Sequence, residues 1–361
     1  MREQLQAIYE IHKKDFSGAC LIMQGNEILL VEASGLANRD FDVANTIDTR
    51  FDTASVTKAF TAVAILQLVE RGALRLDDRI HAIVDLKGTA IPEDVRISHL
   101  LNHTSGIADD ADEEAGEDYA ALFVDKPNYA IRNCVDFLPQ FAHKAPNFKA
   151  GTNVRYNNCA FILLGLAIEK LTGMDYRSYV TEHIFEAAGM EHTYFRAKDE
   201  VCPNTAEGYF ALRDAEGSFL KWKKNIYVFP PIGTADSGAF TTVGDLDIFI
   251  RALQNGKLLP RIYTDLIFAP QCEFTREHRC GTWRVGYGFE FIESKGKIFC
   301  MFKEGENPGV DAFCAYYPAL DVGLYMLANQ EGPFNAMYRE LQAVLFEEHE
   351  KRYGSYAHKL S

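Results

Sequence analysis

The chain reads as an α+β protein: an antiparallel sheet from the N- and C-terminal segments, flanked by helices, with a mostly helical lobe inserted in the middle. Three observations predict this. Two short apolar runs near the N-terminus are split by a turn dipeptide, and two longer segments are apolar nearly all round. From about residue 280 onward, short apolar runs alternate with turn residues. At 361 residues the chain suits one large domain or two lobes. The expected division is a single domain over 1–361, with a sheet lobe at about 1–75 and 235–361 and a helical lobe at about 76–234.

Taken in order, MREQLQAIYEIHKKDFSG is an amphipathic helix with Leu5, Ile8, Tyr9 and His12 on one face. It lacks the apolar core of a signal peptide. GACLIMQ (18–24) and EILLVEASG (27–35) flank Gly25-Asn26 and form a hairpin. AFTAVAILQLVERG (59–72) is a helix buried on most faces, stopped by Gly72. A loop-and-helix region runs to about residue 230, and within it CAFILLGLAIEKLTG (159–173) is a second apolar helix, ended by Gly173. GYGFEFIES, KIFCMFKEG, VDAFCAYYP and DVGLYMLANQ are then successive strands. The last helix, PFNAMYRELQAVLFEEHEKRYG, spaces Met337, Leu341, Val344 and Leu345 along one face.

The totals exclude some functions. A net charge of −14 disfavours nucleic acid and anionic membranes as partners. The longest apolar run is about half the ~18–20 residues a membrane span needs. With neither a signal-peptide core nor a run of that length the cytoplasm is the expected location, and eight cysteines without a C-x-x-C pair then read as reduced thiols. Neither a G-x-x-x-x-G-K-[ST] loop nor a G-x-G-x-x-G occurs, and no cofactor is expected. No H-E-x-x-H occurs either, so no metal is expected. His99 and His103 are four apart, but in SHLLNHTSG a loop-fixing role outweighs metal ligation. The acidic run DDADEEAGED (109–118) reads as a solvated loop without a substrate role.

Within FDTASVTKAF, Ser55 precedes Lys58 by three residues at the start of the buried helix. The pair is either a nucleophile with its own base or a helix cap beside a solvated lysine. A second such pair, Ser218 and Lys221, lies in polar GSFLKWKKN and reads as surface. Lysine deprotonates serine only when desolvation or a second cation lowers its pKa from about 10.4, and the apolar helix supplies desolvation. Tyr156 and Asn158, two apart before the second apolar helix, add an acid or base and an orienting amide. Lys303-Glu304-Gly305, at a strand end, adds a cation and an edge N–H for an oxyanion.

In this order the three groups, S-x-x-K, Y-x-N and K-x-G, resemble the serine hydrolases that include penicillin-binding proteins, class C β-lactamases and related esterases. The resemblance extends over roughly residues 15–332, through RFDTASVTKAFTAVAILQLVERGALRLDDRI, ISHLLNHTSGI, YNNCAFILLGLAIEKLTG, DSGAFTTVGDLDIFIRAL and ENPGVDAFCAYYP. It implies Ser55 as the acylated nucleophile and Lys58 as the group that takes its proton. Tyr156 would be partner base, protonating the leaving group and later activating water, and Asn158 would orient Lys58 and substrate. Lys303 would supply positive charge, Gly305 and its neighbours the substrate edge, and the N–H groups of Ser55 and Glu306 the oxyanion hole.

Two residues depart from the pattern. Glu304 and Glu306 stand where such relatives carry small or hydroxylated residues, on a strand that in penicillin-binding relatives receives a substrate carboxylate. The acidic 109–118 run, which in such relatives follows a loop near the site, adds to this if it is not merely solvated. The expected substrates are therefore small neutral or cationic esters or amides, with anionic β-lactams turned over slowly or not at all. A peptidase acting on D-amino-acid or amino-terminal peptides is the second reading, since an acidic pocket suits an ammonium group. A scaffold or binding protein that retains the motifs is the third. The sequence leaves the oligomeric state open.

Overall fold

The computed structural model describes residues 1–330, 332 and 334–354. Ten strands matter here: β1 (Gly18–Gln24), β2 (Glu27–Ser34), β3 (Tyr209–Arg213), β4 (Phe219–Lys224), β5 (Thr275–His278), β6 (Gly281–Val285), β7 (Glu290–Ser294), β8 (Lys297–Asn307), β9 (Val310–Tyr317) and β10 (Val322–Ala328). Eight of them form one antiparallel sheet in the order β2-β1-β10-β9-β8-β7-β6-β5. The N-terminal hairpin thus joins the C-terminal strands at β1–β10, where Gly18 faces Ala328 and Gln24 faces Val322.

Alternation along these strands divides the core into two layers. Leu21, Cys314, Tyr325 and Leu327 pack with α2 (Thr57–Glu70), α3 (Cys159–Thr172) and α4 (Val243–Gln254), meeting Phe60, Leu163 and Phe249. Cys20, Ile22, Phe313, Leu324 and Met326 face the other way. They meet Leu5 and Tyr9 of α1 (Arg2–His12) and Met337, Leu341 and Leu345 of α5 (Phe334–Gly354). Helices on both faces explain why VGLYMLA is apolar throughout rather than at every second position. All of α2 except Val69 and Glu70 is buried, as its unbroken apolar run predicts. Gly72 and Gly173, both at positive φ, follow the ends of α2 and α3.

Some elements differ from the expectation. β5 and β6 extend the sheet beyond the strands read from the sequence, and most of this hairpin is exposed. TREHRCGTWRV has no apolar face to alternate, because an edge hairpin buries little. A second hairpin, β3–β4, lies in the interval assigned to loops and helices, and β4 is likewise mostly exposed. Ser218 and Lys221 are exposed there, which fits the surface reading of that pair. Pro333, expected to open the last helix, and residues 355–361, assigned to the sheet lobe, lie outside the described residues. Among the described residues no helix is long and apolar enough to cross a membrane, and the eight cysteines are free thiols.

Candidate active site

A two-residue strand, Phe51–Asp52, pairs with Phe240–Thr241 and leads into a 3-10 turn at Ala54–Val56, directly before α2. Ser55 is the middle residue of that turn, two residues ahead of the α-helix that the spacing places it in. The turn is pinned on several sides. Thr53 donates through both its N–H and Oγ1 to Ala239 O at 2.9 Å, and Asp52 Oδ1 accepts from Ala54 N at 2.8 Å. Thr57 Oγ1 accepts from Ala239 N at 3.1 Å. Ala54 is held at φ +42°, a left-handed conformation that costs a non-glycine residue of order 1–3 kcal/mol.

Ser55 Oγ lies 2.9 Å from Lys58 Nζ and 2.6 Å from the Tyr156 hydroxyl. Lys58 Nζ also donates to Asn158 Oδ1 at 2.7 Å and to Asp236 O at 2.8 Å. A neutral amine has two hydrogens and one lone pair. The two fixed acceptors take the hydrogens and leave the lone pair toward Ser55. Burial lowers the Lys58 pKa, with Asp236 opposing and Lys303 adding to the effect, and the result is about 8. Tyr156 moves the other way: burial, then the Glu113 charge, push its phenol well above the ordinary 10, so it stays protonated and donates. His103 supports it from beside, ring centroids 4.7 Å apart, while its Nδ1 accepts from Asn157 N at 3.2 Å. Burial and the Lys303 and Lys58 charges keep that imidazole neutral. His99 Nδ1 accepts from Arg96 N, so both histidines fix loops.

The first part of the acidic stretch departs from its reading as a solvated loop, whereas residues 113–118 are exposed. Asp109 and Asp110 are buried. Asp109 accepts from Asn158 N at 2.8 Å and Cys159 N at 2.9 Å, satisfying donors at the start of α3. Glu113 Oε1 accepts from Asn158 Nδ2 at 2.7 Å, which turns the Asn158 carbonyl toward Lys58. Arg155 grips Asp112 through Nε and Nη2, and Glu114 takes both Tyr156 N and Arg276 Nη2 at 3.1 Å. Runs of like charge are usually solvated because nothing nearby offsets them; here backbone N–H groups and two arginines do. Donor atoms of Asp109, Asp110 and Cys159 approach within 4.8 Å of one another. The Asp109 oxygens are already committed to N–H groups, and burial holds the Asp110 carboxyl and Cys159 thiol toward their neutral forms, so the trio is structural.

Strand β8 passes alongside the serine turn. A Cβ at Gly305 would stand 2.2 Å from Thr53 O and 2.9 Å from Ser55 N, so this approach requires glycine. Lys303 projects beside Tyr156, 4.8 Å from its ring centroid, and donates to Glu290 Oε1 at 2.8 Å. The other Glu290 oxygen accepts from Trp283 Nε1 at 2.7 Å. Two cavities open on Ser55. One, a narrow cavity, runs past Asn158, Asp236, Lys198 and Phe229. The other, an open cleft of about 1090 Å³, is lined by six carboxylates (Glu113, Glu114, Glu277, Glu290, Glu304, Glu306) against Arg276 and Lys303. Glu304 and Glu306 are exposed. Loss of water on the protein side, then the Glu290 charge, push the Glu304 pKa up to about 7.

The structure brings Ser55, Lys58, Tyr156, Asn158 and Lys303 together around one hydroxyl, with Gly305 and Glu306 alongside and Glu304 at the cleft wall. Sequence reasoning missed Glu113, Asp236 and Glu290. Glu290 had a local signal, a carboxylate inside the apolar run GYGFEFIES; Asp236 and Glu113 had none.

The beta-lactamase family profile matches residues 6–346. Penicillin-binding protein 4* of Bacillus subtilis (strain 168) is 28% identical over 342 residues, covering 91% of this chain and 72% of that protein. The crystal structure of a penicillin binding protein from Bacillus halodurans superposes with a TM-score of 0.85 at 36% identity, over 94% of this chain and 98% of that one. A D-stereospecific amidohydrolase from Streptomyces has a TM-score of 0.78 at 22% identity, over 95% and 98% of the two chains, which is a likeness of fold.

Proposed function

The chain belongs to the beta-lactamase family, a group of serine hydrolases, and on that premise we propose that it hydrolyses small neutral or cationic esters or amides through an acyl-enzyme on Ser55. The observation that carries this is the Ser55 hydroxyl, within hydrogen-bond reach of both Lys58 and Tyr156 in a cleft lined mainly by carboxylates. In acylation neutral Lys58 takes the Ser55 proton as Oγ attacks the carbonyl carbon. N–H groups of Ser55 and Glu306 receive the developing oxyanion, at about 3–4 kcal/mol per donor. Tyr156, protonated at rest, gives its proton to the leaving oxygen or nitrogen and regains one through Lys58. Water then attacks the acyl carbonyl, and the same groups return the proton to Ser55 Oγ.

The same carboxylates favour one narrower reading, an amino-acyl amide or amino-terminal peptide whose ammonium they would neutralise. The eight free thiols support a reducing compartment, the cytoplasm. A fluorophosphonate probe is expected to label the protein and to fail on Ser55→Ala. On a substrate panel, p-nitrophenyl butyrate and D-amino-acyl amides are expected to turn over well ahead of nitrocefin. Nitrocefin rates equal to those of p-nitrophenyl butyrate would sink the charge argument. Absence of Ser55-dependent labelling would leave a binding protein that retains the motifs.

A further inference from the structure

Resting on that acyl-serine reading, we propose that Glu290 sets the substrate class: by holding Lys303 in an ion pair, it withdraws from the cleft the cation that would receive a substrate carboxylate. Lys303 has only 3% of its side chain exposed and Glu290 20%, at 2.8 Å. Glu290 of β7 pairs with Phe302 of β8, one residue from Lys303, so the two side chains meet as neighbours of adjacent strands rather than as a directly facing pair. The pair is anchored from behind. Trp283 Nε1 donates to the second Glu290 oxygen, and the Arg276 guanidinium lies 5.0 Å from the Trp283 ring centroid. Burial alone would raise the Glu290 carboxyl, but the Lys303 charge and bond and the Trp283 N–H outweigh it and hold the group below the usual range. Arg276, the other cation of the cleft, is engaged by Glu114 at 3.1 Å.

A carboxylate entering this cleft therefore meets no uncommitted cation among the described lining residues. To recruit Lys303 it must break the pair and leave Glu290 unpaired, beside a second negative charge. A neutral substrate leaves the pair intact, and a cationic one gains from the remaining carboxylates. Glu290 is thus a specificity-determining residue acting through Lys303.

The test compares 4-nitrophenyl hydrogen adipate, whose far end is a carboxylate, with its neutral methyl ester. Wild type is expected to prefer the methyl ester. Glu290→Gln keeps an acceptor for Trp283 but frees Lys303, and should raise the carboxylate-to-ester ratio of kcat/KM by roughly tenfold or more, mainly through KM. Adding Lys303→Met should erase the gain. Should Glu290→Gln fold poorly by circular dichroism, Glu290→Asp, which withdraws the carboxylate by one methylene, carries the comparison with a smaller gain expected. An unchanged ratio in a folded variant that still hydrolyses the methyl ester overturns this assignment alone, as does a gain that survives Lys303→Met. A wild-type protein that hydrolyses neither ester overturns the acyl-serine reading and the assignment with it.

Discussion

Lys58 is the residue on which the proposed chemistry turns, because one amine must hold two acceptors and still offer a lone pair. Asn158 Oδ1 and Asp236 O fix its hydrogens, and burial brings its pKa to about 8. The working form is the neutral amine, so kcat/KM on a neutral ester should rise with pH through about 8 and then level off. The charges that act on it are Asp236, Lys303, Glu113 and Asp109, with the protonated Tyr156 alongside. Glu113→Gln keeps an acceptor for Asn158 but removes a negative charge that favours the ammonium. It should move the limb to lower pH, whereas Lys303→Met, which removes a cation, should move it to higher pH. Stopped-flow pH profiles on the three proteins check this, and shifts of one sign for both variants would contradict the assignment. Ser55, Lys58, Tyr156 and Asn158 were legible because their spacing sits beside apolar helices. Glu113 was not, since its role depends on which amide hydrogen it meets.

Among the elements, the approach of β8 to the serine turn is the most exacting. With Gly305 a Cβ away from Thr53 O and Ser55 N, a methyl group there forces strand and turn apart. Gly305→Ala is expected to cost about 1–3 kcal/mol of stability, read from urea midpoints. Fluorophosphonate labelling should fall more steeply, by about 10²-fold, since oxyanion donors act only at short range. Proportionate loss of both would point to general unfolding instead. The buried helices and central strands were readable because apolar periodicity reports burial. The acidic segment and the β5–β6 hairpin were not: one is held by backbone N–H groups that pattern rules do not count, and the other lies at an exposed edge.

Across the whole molecule one apolar cluster joins the sheet to the inserted segment, running from Leu21 and Tyr325 through Phe60 to Phe137, Ile162 and Phe185. Phe60 touches Phe185 and Phe249 edge-on, at 5.1 and 4.8 Å between centroids. We expect the two lobes to melt together as one domain. Calorimetry should give a single transition, and Phe60→Ala should lower it without splitting it, at a cost of about 3–5 kcal/mol; two resolved transitions would argue for separate domains. What the sequence determined by itself is the layering and the Ser55–Lys58 pairing, because side-chain periodicity and short motif spacing are properties of neighbours along the chain. Which charge answers which was decided only by the tertiary structure. The Lys58 amine meets the Asp236 main-chain carbonyl across 178 residues, the Asn158 amide meets the Glu113 carboxylate across 45, and Lys303 meets Glu290 across 13. Carboxylates have no period, and their partners depend on the path of the chain through space.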